Sequence, residues 1–460
     1  MSMNVPTPTR RPAAWRLRCV ALGAACLVLV LFFHQWAGWN GNSRLLTVYA
    51  LVEEGTLRAD RWRGMTGDYS EVDGHIYSDK APLASFVVTP FYWLWRHAHS
   101  GPQTAHDLEA AIHIADVVAC AIPFAVFAML VFRRLARRGL SMRAAVWVTL
   151  AVAFASPLRC YGSQFLGNML AAVLFLGAYV LAIEQEEDFV LAGLLGGLAG
   201  TAEYPLILSN AVVVLYLLTG EGRWRRAPRY VLGATLPAAL LLVYNRCITG
   251  RFLDFPYSHE GGRFPEMHTV FGMTIPSPNA LWELIFGQYR GLLFYAPALI
   301  VLLPLLLLRF DGPPRRRRVL FALMGTQLLL ISSYFMWSGG FCVGPRHLAL
   351  LMTLALYEGA RALAGEPRWR LAFAMLSAWG IVLNLAAVAT DALPNDTWHA
   401  PAFEIFFPRI LQNDINAHNF VAEAGLPNNR YALVVWLGAF VVAGLALGWS
   451  RTSRPRPAES

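Results

Sequence analysis

Tyr77-Ser78-Asp79-Lys80-Ala81-Pro82-Leu83 sits near the middle of a long polar stretch, residues 40–106, between the first two apolar runs of the chain. Lys80 is its single lysine; every other one of the 38 basic residues is arginine. Where arginine is the default cation, a retained lysine marks a place that wants a compact ammonium with rotatable donors instead of a planar fork, unless it survives by chance. Its neighbours favour the first reading. Ser78 or Asp79 is placed to cap a helix with Pro82 in its first turn. That helix carries Phe86, Phe91, Tyr92, Trp93 and Trp95, aromatics suited to a membrane–water interface. An ammonium at a helix N-terminus, at headgroup depth, is suited to a lipid-linked phosphate. The bland alternative is a capping carboxylate beside a snorkelling lysine.

Upstream of this segment, residues 69–77 read as a small hairpin turning at Asp73-Gly74. Before it, Ser43 is expected to cap a short helix over 44–54, stopped by Gly55. Leu45, Val48, Tyr49 and Val52 fall on one face of that helix, which is therefore expected to lie on the membrane surface. Asp68, His75, Tyr77, Asp79 and Lys80 would then meet at a rim between two surface helices.

The rest of the chain supplies the membrane. Of the 460 residues, 56% are hydrophobic and 15% charged. That is the composition of a polytopic membrane protein. Apolar runs lie near 17–37, 111–132, 144–158, 168–183, 189–202, 205–219, 230–247, 291–309, 319–336, 347–364, 370–390 and 431–449. Only helices or closed barrels satisfy their backbone in lipid, and these runs are too long and continuous for barrel strands, so an all-α protein of about twelve spans is expected. The 189–219 stretch is read as two short helices turning at Glu203-Tyr204-Pro205. The first run lacks a small-residue cleavage site and reads as a signal anchor.

With that count, the arginine groups Arg10, Arg11, Arg16 and Arg18; Arg133, Arg134, Arg137 and Arg138; Arg223, Arg225 and Arg226; Arg315 to Arg318; and Arg451, Arg454 and Arg456 all fall on one side, assigned to the cytoplasm. The net charge of +9 then reflects topology and anionic lipid, not nucleic acid. The first run and the tails, 1–12 and 451–460, bracket a single transmembrane domain; the Pro/Arg-rich tails are expected to be disordered. The six cysteines show no metal or redox spacing, and free thiols are expected although Cys160, Cys247 and Cys342 lie near one face.

All eleven histidines fall on the outer side, as do most acids, so chemistry is expected in the outer loops 40–106, 248–290 and 391–430. Arg290, in Gly287-Gln288-Tyr289-Arg290-Gly291, stands just before an apolar run. So does Arg346, in Trp337-Ser338-Gly339-Gly340-Phe341-Cys342-Val343-Gly344-Pro345-Arg346-His347. Their glycines permit close backbone approach to a ligand and their guanidinium forks suit phosphate; a tight turn with an anchoring arginine is the alternative. Glu203, an acid in the middle of an apolar stretch, is a functional candidate unless the turn merely exposes it. Asp116 ranks below it. No metal-ligand spacing stands out: His97 and His99 are too close to share a helical face. A divalent cation held by outer acids is the one cofactor left open.

On these segments the chain resembles the GT-C superfamily of integral-membrane glycosyltransferases, in particular aminoarabinose transferases and protein O-mannosyltransferase-like enzymes. The resemblance implies a GT-C fold with juxtamembrane helices in the first outer loop. It implies transfer of a sugar from a polyprenyl-phosphate donor to an envelope glycan, lipid or protein acceptor, at the outer face of a bacterial cytoplasmic (inner) membrane. It places Lys80 at the donor phosphate; Arg290 and Arg346 are expected beside it as further phosphate ligands on the strength of their own guanidinium chemistry. Those enzymes carry an acid right after the first span; here that place reads Trp39-Asn40-Gly41-Asn42-Ser43-Arg44. The catalytic carboxylate is therefore sought at Asp60, Asp68 or Asp79, with Glu203 behind them. His75, Tyr77, Glu203, Tyr204 and His347 are expected to shape the sugar pocket. Two other functions remain open: a non-catalytic binder of polyprenyl phosphate, and a transporter or lipid flippase, which would be expected to show inverted repeats and midplane charges.

Overall fold

The computed structural model describes residues 13–99, 101–261 and 263–449. The two tails lie outside the described residues, and with them Arg10, Arg11, Arg451, Arg454 and Arg456. Each apolar run falls on a helix: α1 (Ala13–Leu31), α2 (Trp39–Tyr49), α3 (Leu83–Ala98), α4 (Ala105–Arg137), α5 (Met142–Phe154), α6 (Asn168–Gln185), α7 (Phe189–Ala202), α8 (Leu206–Leu218), α9 (Arg223–Thr249), α10 (Leu299–Leu308), α11 (Pro314–Ser332), α12 (Ala349–Ala364), α13 (Arg370–Thr390) and α14 (Tyr431–Gly448). Of these α4, α6, α9, α14 and a helix over Pro367–Thr390 that contains α13 are long and apolar enough to cross a membrane, which makes the chain a multi-pass membrane protein. α5, α7, α8 and α10 are shorter apolar helices. The run expected over 291–309 is divided: Pro297 pushes Ala296 out of helical geometry, leaving one turn at Leu292–Tyr295 ahead of α10. Leu232, Leu236 and Leu240 on α9 and Val434, Val441 and Leu445 on α14 are exposed, as side chains facing lipid tails should be.

Helices gain little from burying apolar surface against each other in lipid, so close packing and polar contacts have to hold them. The pair α7–α9 shows how. A Cβ on Gly193 would lie 1.8 Å from the Tyr230 carbonyl oxygen, and one on Gly233 would lie 1.9 Å from that of Val190. The two backbones touch at both points. Asn210 on α8 ties the pair down: it accepts from the Tyr230 hydroxyl at 2.5 Å and donates to the Gly196 carbonyl at 2.8 Å. The α7–α8 hairpin turns at Glu203-Tyr204-Pro205, with Glu203 extended and Pro205 leading into α8.

At the arginine-bearing end, buried Glu358 of α12 accepts from Arg134 of α4 at 2.6 Å and from Tyr179 of α6 at 2.8 Å, and also pairs with Arg316 of α11. At the other end the first loop folds back over the bundle. It carries the expected hairpin, β1 (Ser70–Val72) and β2 (His75–Tyr77), with Asp73 and Gly74 at positive φ in the turn.

Two local expectations are corrected. α2 begins at Trp39, without a side-chain cap, and Ser43 lies inside it, because Asp79 offers that hydroxyl a charged acceptor. α2 is buried from Ser43 to Tyr49 against α3, and its continuation does stop at Gly55, with φ 65°. Neither Ser78 nor Asp79 caps α3, which starts after Pro82, because the Asp79 carboxylate is spent on Ser43 and Lys80. Of the aromatics on α3, Phe91 and Trp93 are exposed and Tyr92 is enclosed, where its hydroxyl donates to Glu53 at 3.2 Å.

The outer loops divide their work. The 248–290 loop docks on the hairpin: Ser70 bridges to Glu260, the Gly261 N–H donates to the Tyr69 carbonyl at 3.0 Å, and Met273 bridges to Tyr334. The 391–430 loop packs instead on the chain leaving α1, through a bridge between Phe33 and Asn419.

Candidate active site

Five distant segments meet at Lys80. Its ammonium lies 2.6 Å from Asp79 Oδ2 and 3.1 Å from Asp68 Oδ2. The Ser43 hydroxyl donates to Asp79 Oδ1 at 2.7 Å and stands 3.0 Å from Ser78 Oγ. One residue on, Arg44 donates to Glu203 Oε1 at 2.6 Å and to the Ala81 carbonyl at 3.2 Å. The segment after the first helix, which has no acid of its own, thus holds two acids from elsewhere, Asp79 through Ser43 and Glu203 through Arg44. Gly167 makes the second pairing fit. It adopts φ 78°, and a Cβ there would lie 2.8 Å from Arg44 Cζ and 2.9 Å from Glu203 Oε1.

Burial sorts these groups. Asp79 and Arg44 side chains are enclosed, at 1% and 2% exposure, whereas Lys80, Asp68 and Glu203 keep 13%, 14% and 15%. Lys80, Asp68 and Glu203 thus keep some contact with solvent, and Asp79 and Arg44 hold them from behind. Burial alone would lower the Lys80 pKa, but Asp68 and Asp79 outweigh it and hold the ammonium above the ordinary lysine value. Burial raises the Glu203 carboxyl above the usual carboxylate range, opposed by Arg44, Arg346 and Lys80.

Arg346 and His347 lie close to this cluster: Arg346 and Lys80 both act on the His347 imidazole. Arg346 is buried, its Nε has no hydrogen-bond partner, and no carboxylate among the described residues lies within ion-pairing distance of it. Gly339, at φ 80°, lets the arginine lie against the loop backbone: a Cβ there would be 3.0 Å from its Cγ and Nε. His347 Nε2 is likewise buried and unpartnered. Burial, with Arg346 and Lys80 nearby, pushes that imidazole well below its usual pKa, so it is neutral at physiological pH. The hydroxyls of Tyr257 and Tyr334 bond to each other, and the Tyr334 ring packs edge-on to His347 at 5.8 Å between centroids.

Taken together, Lys80, Arg44 and Arg346 face Asp68, Asp79 and Glu203. The close pairings use all three carboxylates and leave Arg346 without one. A site so arranged has a place for an anion. Among the described residues no group of three or more His, Cys, Asp and Glu is arranged to hold a metal ion. The Lys80 ammonium bridges Asp68 and Asp79.

The other expected site residues are placed as follows. Asp60 is not at this cluster: it is largely exposed, 2.8 Å from His75 Nδ1, and accepts from the Ile76 N–H at 2.7 Å. His75 goes with it, because alternation along β2 turns it away from its neighbour Ile76, which is buried. Tyr77 is buried in an apolar cluster with Leu241, Tyr244 and Ile248, and Tyr204 packs against the same cluster. Arg290 has no exposed surface. It donates to the carbonyls of Ser338, Tyr289 and Gly340 at 2.8, 3.1 and 2.7 Å, so it braces the loop that carries Arg346. Ser43, Arg44, Gly167, Tyr257 and Tyr334 were not anticipated. Arg44 carried a usable signal, a cation leading directly into an apolar helix. All six cysteines are free thiols.

An almost wholly helical, multi-pass chain thus carries a polar cluster where its long loops meet. The solved structures it matches are those of ArnT from Cupriavidus metallidurans. Against ArnT bound to undecaprenyl phosphate the TM-score is 0.51 at 17% identity, covering 95% of this chain and 77% of that one. Against ArnT in the apo state it is 0.49, also at 17% identity, covering 94% and 76%. The likeness is one of fold. No protein-family model and no curated protein matches the sequence.

Proposed function

We propose that this chain is a membrane glycosyltransferase that moves a sugar from a polyprenyl-phosphate donor to an envelope glycan, lipid or protein. The observation that carries the proposal is Arg346, a buried cation with no carboxylate of its own, facing Lys80 on a fold shared with a protein solved with undecaprenyl phosphate bound. In this reading about twelve helices span a bacterial inner membrane, the arginine loops face the cytoplasm, and the site opens on the outer face. Lys80 and Arg346 hold the donor phosphate. The acceptor hydroxyl oxygen attacks the anomeric carbon and the bond from that carbon to the phosphate oxygen breaks. The acceptor proton passes to one of the two partly open carboxylates, Asp68 or Glu203. Polyprenyl phosphate leaves with both charges, which Lys80 and Arg346 stabilise. Asp79 fixes Lys80 in position. Neutral His347 and the Tyr257–Tyr334 pair line the sugar side.

One observation favours the rival reading of a binder without turnover: Asp68 and Glu203 are each engaged by a cation, so neither is a free base. Comparing lipid-linked sugars and envelope glycans by mass spectrometry in cells with and without the protein decides between them. Accumulated donor and one missing glycan support the transferase, and Lys80→Ala should reproduce that loss when compared at equal levels of inserted protein. Unchanged glycans with retained polyprenyl-phosphate binding would leave only the binder.

A further inference from the structure

Among the described residues the largest charged network lies at the opposite end, where the proposed transfer does not reach. A cavity of about 410 Å³ opens there between the ends of α4, α10, α12 and the Pro367–Thr390 helix, lined among others by Arg138, Arg309, Asp311, Arg361 and Glu366. Its acids are all shared. Asp311 pairs with both Arg138 and Arg361, the latter at 3.3 Å. Glu366 pairs with Arg309 at 3.1 Å and with Arg368 at 3.2 Å. Beneath the floor, Glu184 and Glu358 each meet both Arg134 and Arg316, and Arg361 reaches Glu184 at 3.7 Å. These pairs form two clusters: four arginines, 134, 138, 316 and 361, meet three carboxylates, 184, 311 and 358, and two more, 309 and 368, share Glu366. Two positive charges are left over beside an open cavity.

From this imbalance we infer a second ligand site, for a group bearing a dianionic phosphate, at the arginine-bearing end of the helices. A phosphomonoester matches both the surplus charge and the geometry, because its oxygens accept from planar guanidinium forks two at a time. The position suits it as well. The lining residues stand where apolar helices end, the depth of lipid headgroups, and basic pockets between transmembrane helices hold anionic headgroups. The volume exceeds that of a phosphate and leaves room for the glycerol end of a phosphatidic acid. A phosphomonoester lipid and free phosphate share this chemistry, and the test separates them.

The full-length protein in detergent micelles would be titrated with inorganic phosphate and, separately, with phosphatidic acid against phosphatidylcholine, read by calorimetry and native mass spectrometry. Retention of phosphatidic acid over phosphatidylcholine supports the site with a lipid as its occupant; binding of inorganic phosphate alone supports it with a free anion. In Arg138→Gln/Arg309→Gln, chosen because both side chains are well exposed and sit at the rim, Kd should weaken about tenfold or more, the change that ~1.4 kcal/mol produces. Asp311→Asn should tighten binding by removing the acid that two arginines share. Arg346→Met, which removes the proposed outer phosphate ligand without stranding a carboxylate, should leave this binding intact, so failure of the transferase proposal does not decide this one. Neither probe binding above the phosphatidylcholine background, or equal binding by the arginine variant, would overturn the inference.

Discussion

Arg346 separates ligand binding from stability more sharply than any other residue in the site. It is 7% exposed, its Nε is buried without a partner, and the nearby carboxylates are taken by Lys80 and Arg44. A buried donor left unsatisfied costs ~1–3 kcal/mol, and more when charged. Arg346→Met, of similar length and apolar, relieves that cost, so thermal stability without ligand should be unchanged or higher. The same change removes a charge-assisted hydrogen bond to phosphate worth ~1.5–3 kcal/mol, which weakens undecaprenyl phosphate binding by roughly 10- to 150-fold. Lys80→Met provides the contrast. It strands Asp79, at 1% exposure, with only Ser43 beside it. Removing one partner of a buried pair costs ~3–5 kcal/mol, so this variant should lose binding and stability together. Both quantities are measurable on one preparation, by thermal unfolding in detergent and by lipid-phosphate titration. If Arg346→Met unfolds as early as Lys80→Met while binding stays within about twofold, the arginine braces the fold and the phosphate assignment is refuted.

Other perturbations address the remaining parts. Gly167→Ala forces a side chain into the Arg44–Glu203 contact from a left-handed backbone, so turnover should drop by about tenfold or more for each ~1.4 kcal/mol of lost alignment, checked by transfer assays at matched expression. Asp60→Asn and His75→Ala, exposed and away from Lys80, should keep transfer within about twofold, whereas Asp68→Asn and Glu203→Gln should divide, the base losing ~10²-fold or more. Gly193→Leu should prevent the α7–α9 contact and yield aggregated protein, visible as loss of the monodisperse peak on size exclusion, because the added side chain meets the Tyr230 carbonyl. The last concerns pH. His34 is held down to about 4, from 6.5, by burial and by His113 and His418; Glu423 Oε1, 2.9 Å away but half exposed, does not offset them. An unfolded histidine takes the proton first, so the stabilising contribution is whole above pH 6.5 and is lost as pH falls toward about 4. Hydrogen exchange in the 416–424 segment should accelerate over that window; a flat response would exclude His34 as the cause.

The helices were legible because a span in lipid must be apolar along its whole length, a signal no tertiary contact overrides. The hairpin at Asp73-Gly74 was equally local, set by two residues that accept positive φ. Lys80 could be found by rarity and Glu203 by its cost in an apolar stretch. What stayed hidden were the pairings. Ser43 reads as a cap until Asp79, thirty-six residues on, supplies a stronger acceptor. Arg44 and Glu203 are 159 residues apart, and nothing in either segment names the other. Asp60 and Asp68 look interchangeable along the loop; the turn of β2 sends one to solvent with His75 and leaves the other at the lysine. Arg290 and Arg346 both follow glycines, and only the fold reveals that one has spent its donors on carbonyls.

The cluster around Lys80 draws on residues 43, 68, 79, 203, 257, 334 and 346, with Arg290 bracing from another segment still. Ribosomal synthesis delivers these pieces in order, so the centre cannot exist until three quarters of the polypeptide has been threaded into the bilayer. Until Glu203 is made, Arg44 must wait for the carboxylate it pairs with in the finished fold. Quality control of nascent chains would meet this protein in that interval, and premature stops anywhere before Arg346 should leave an inserted but inert remnant.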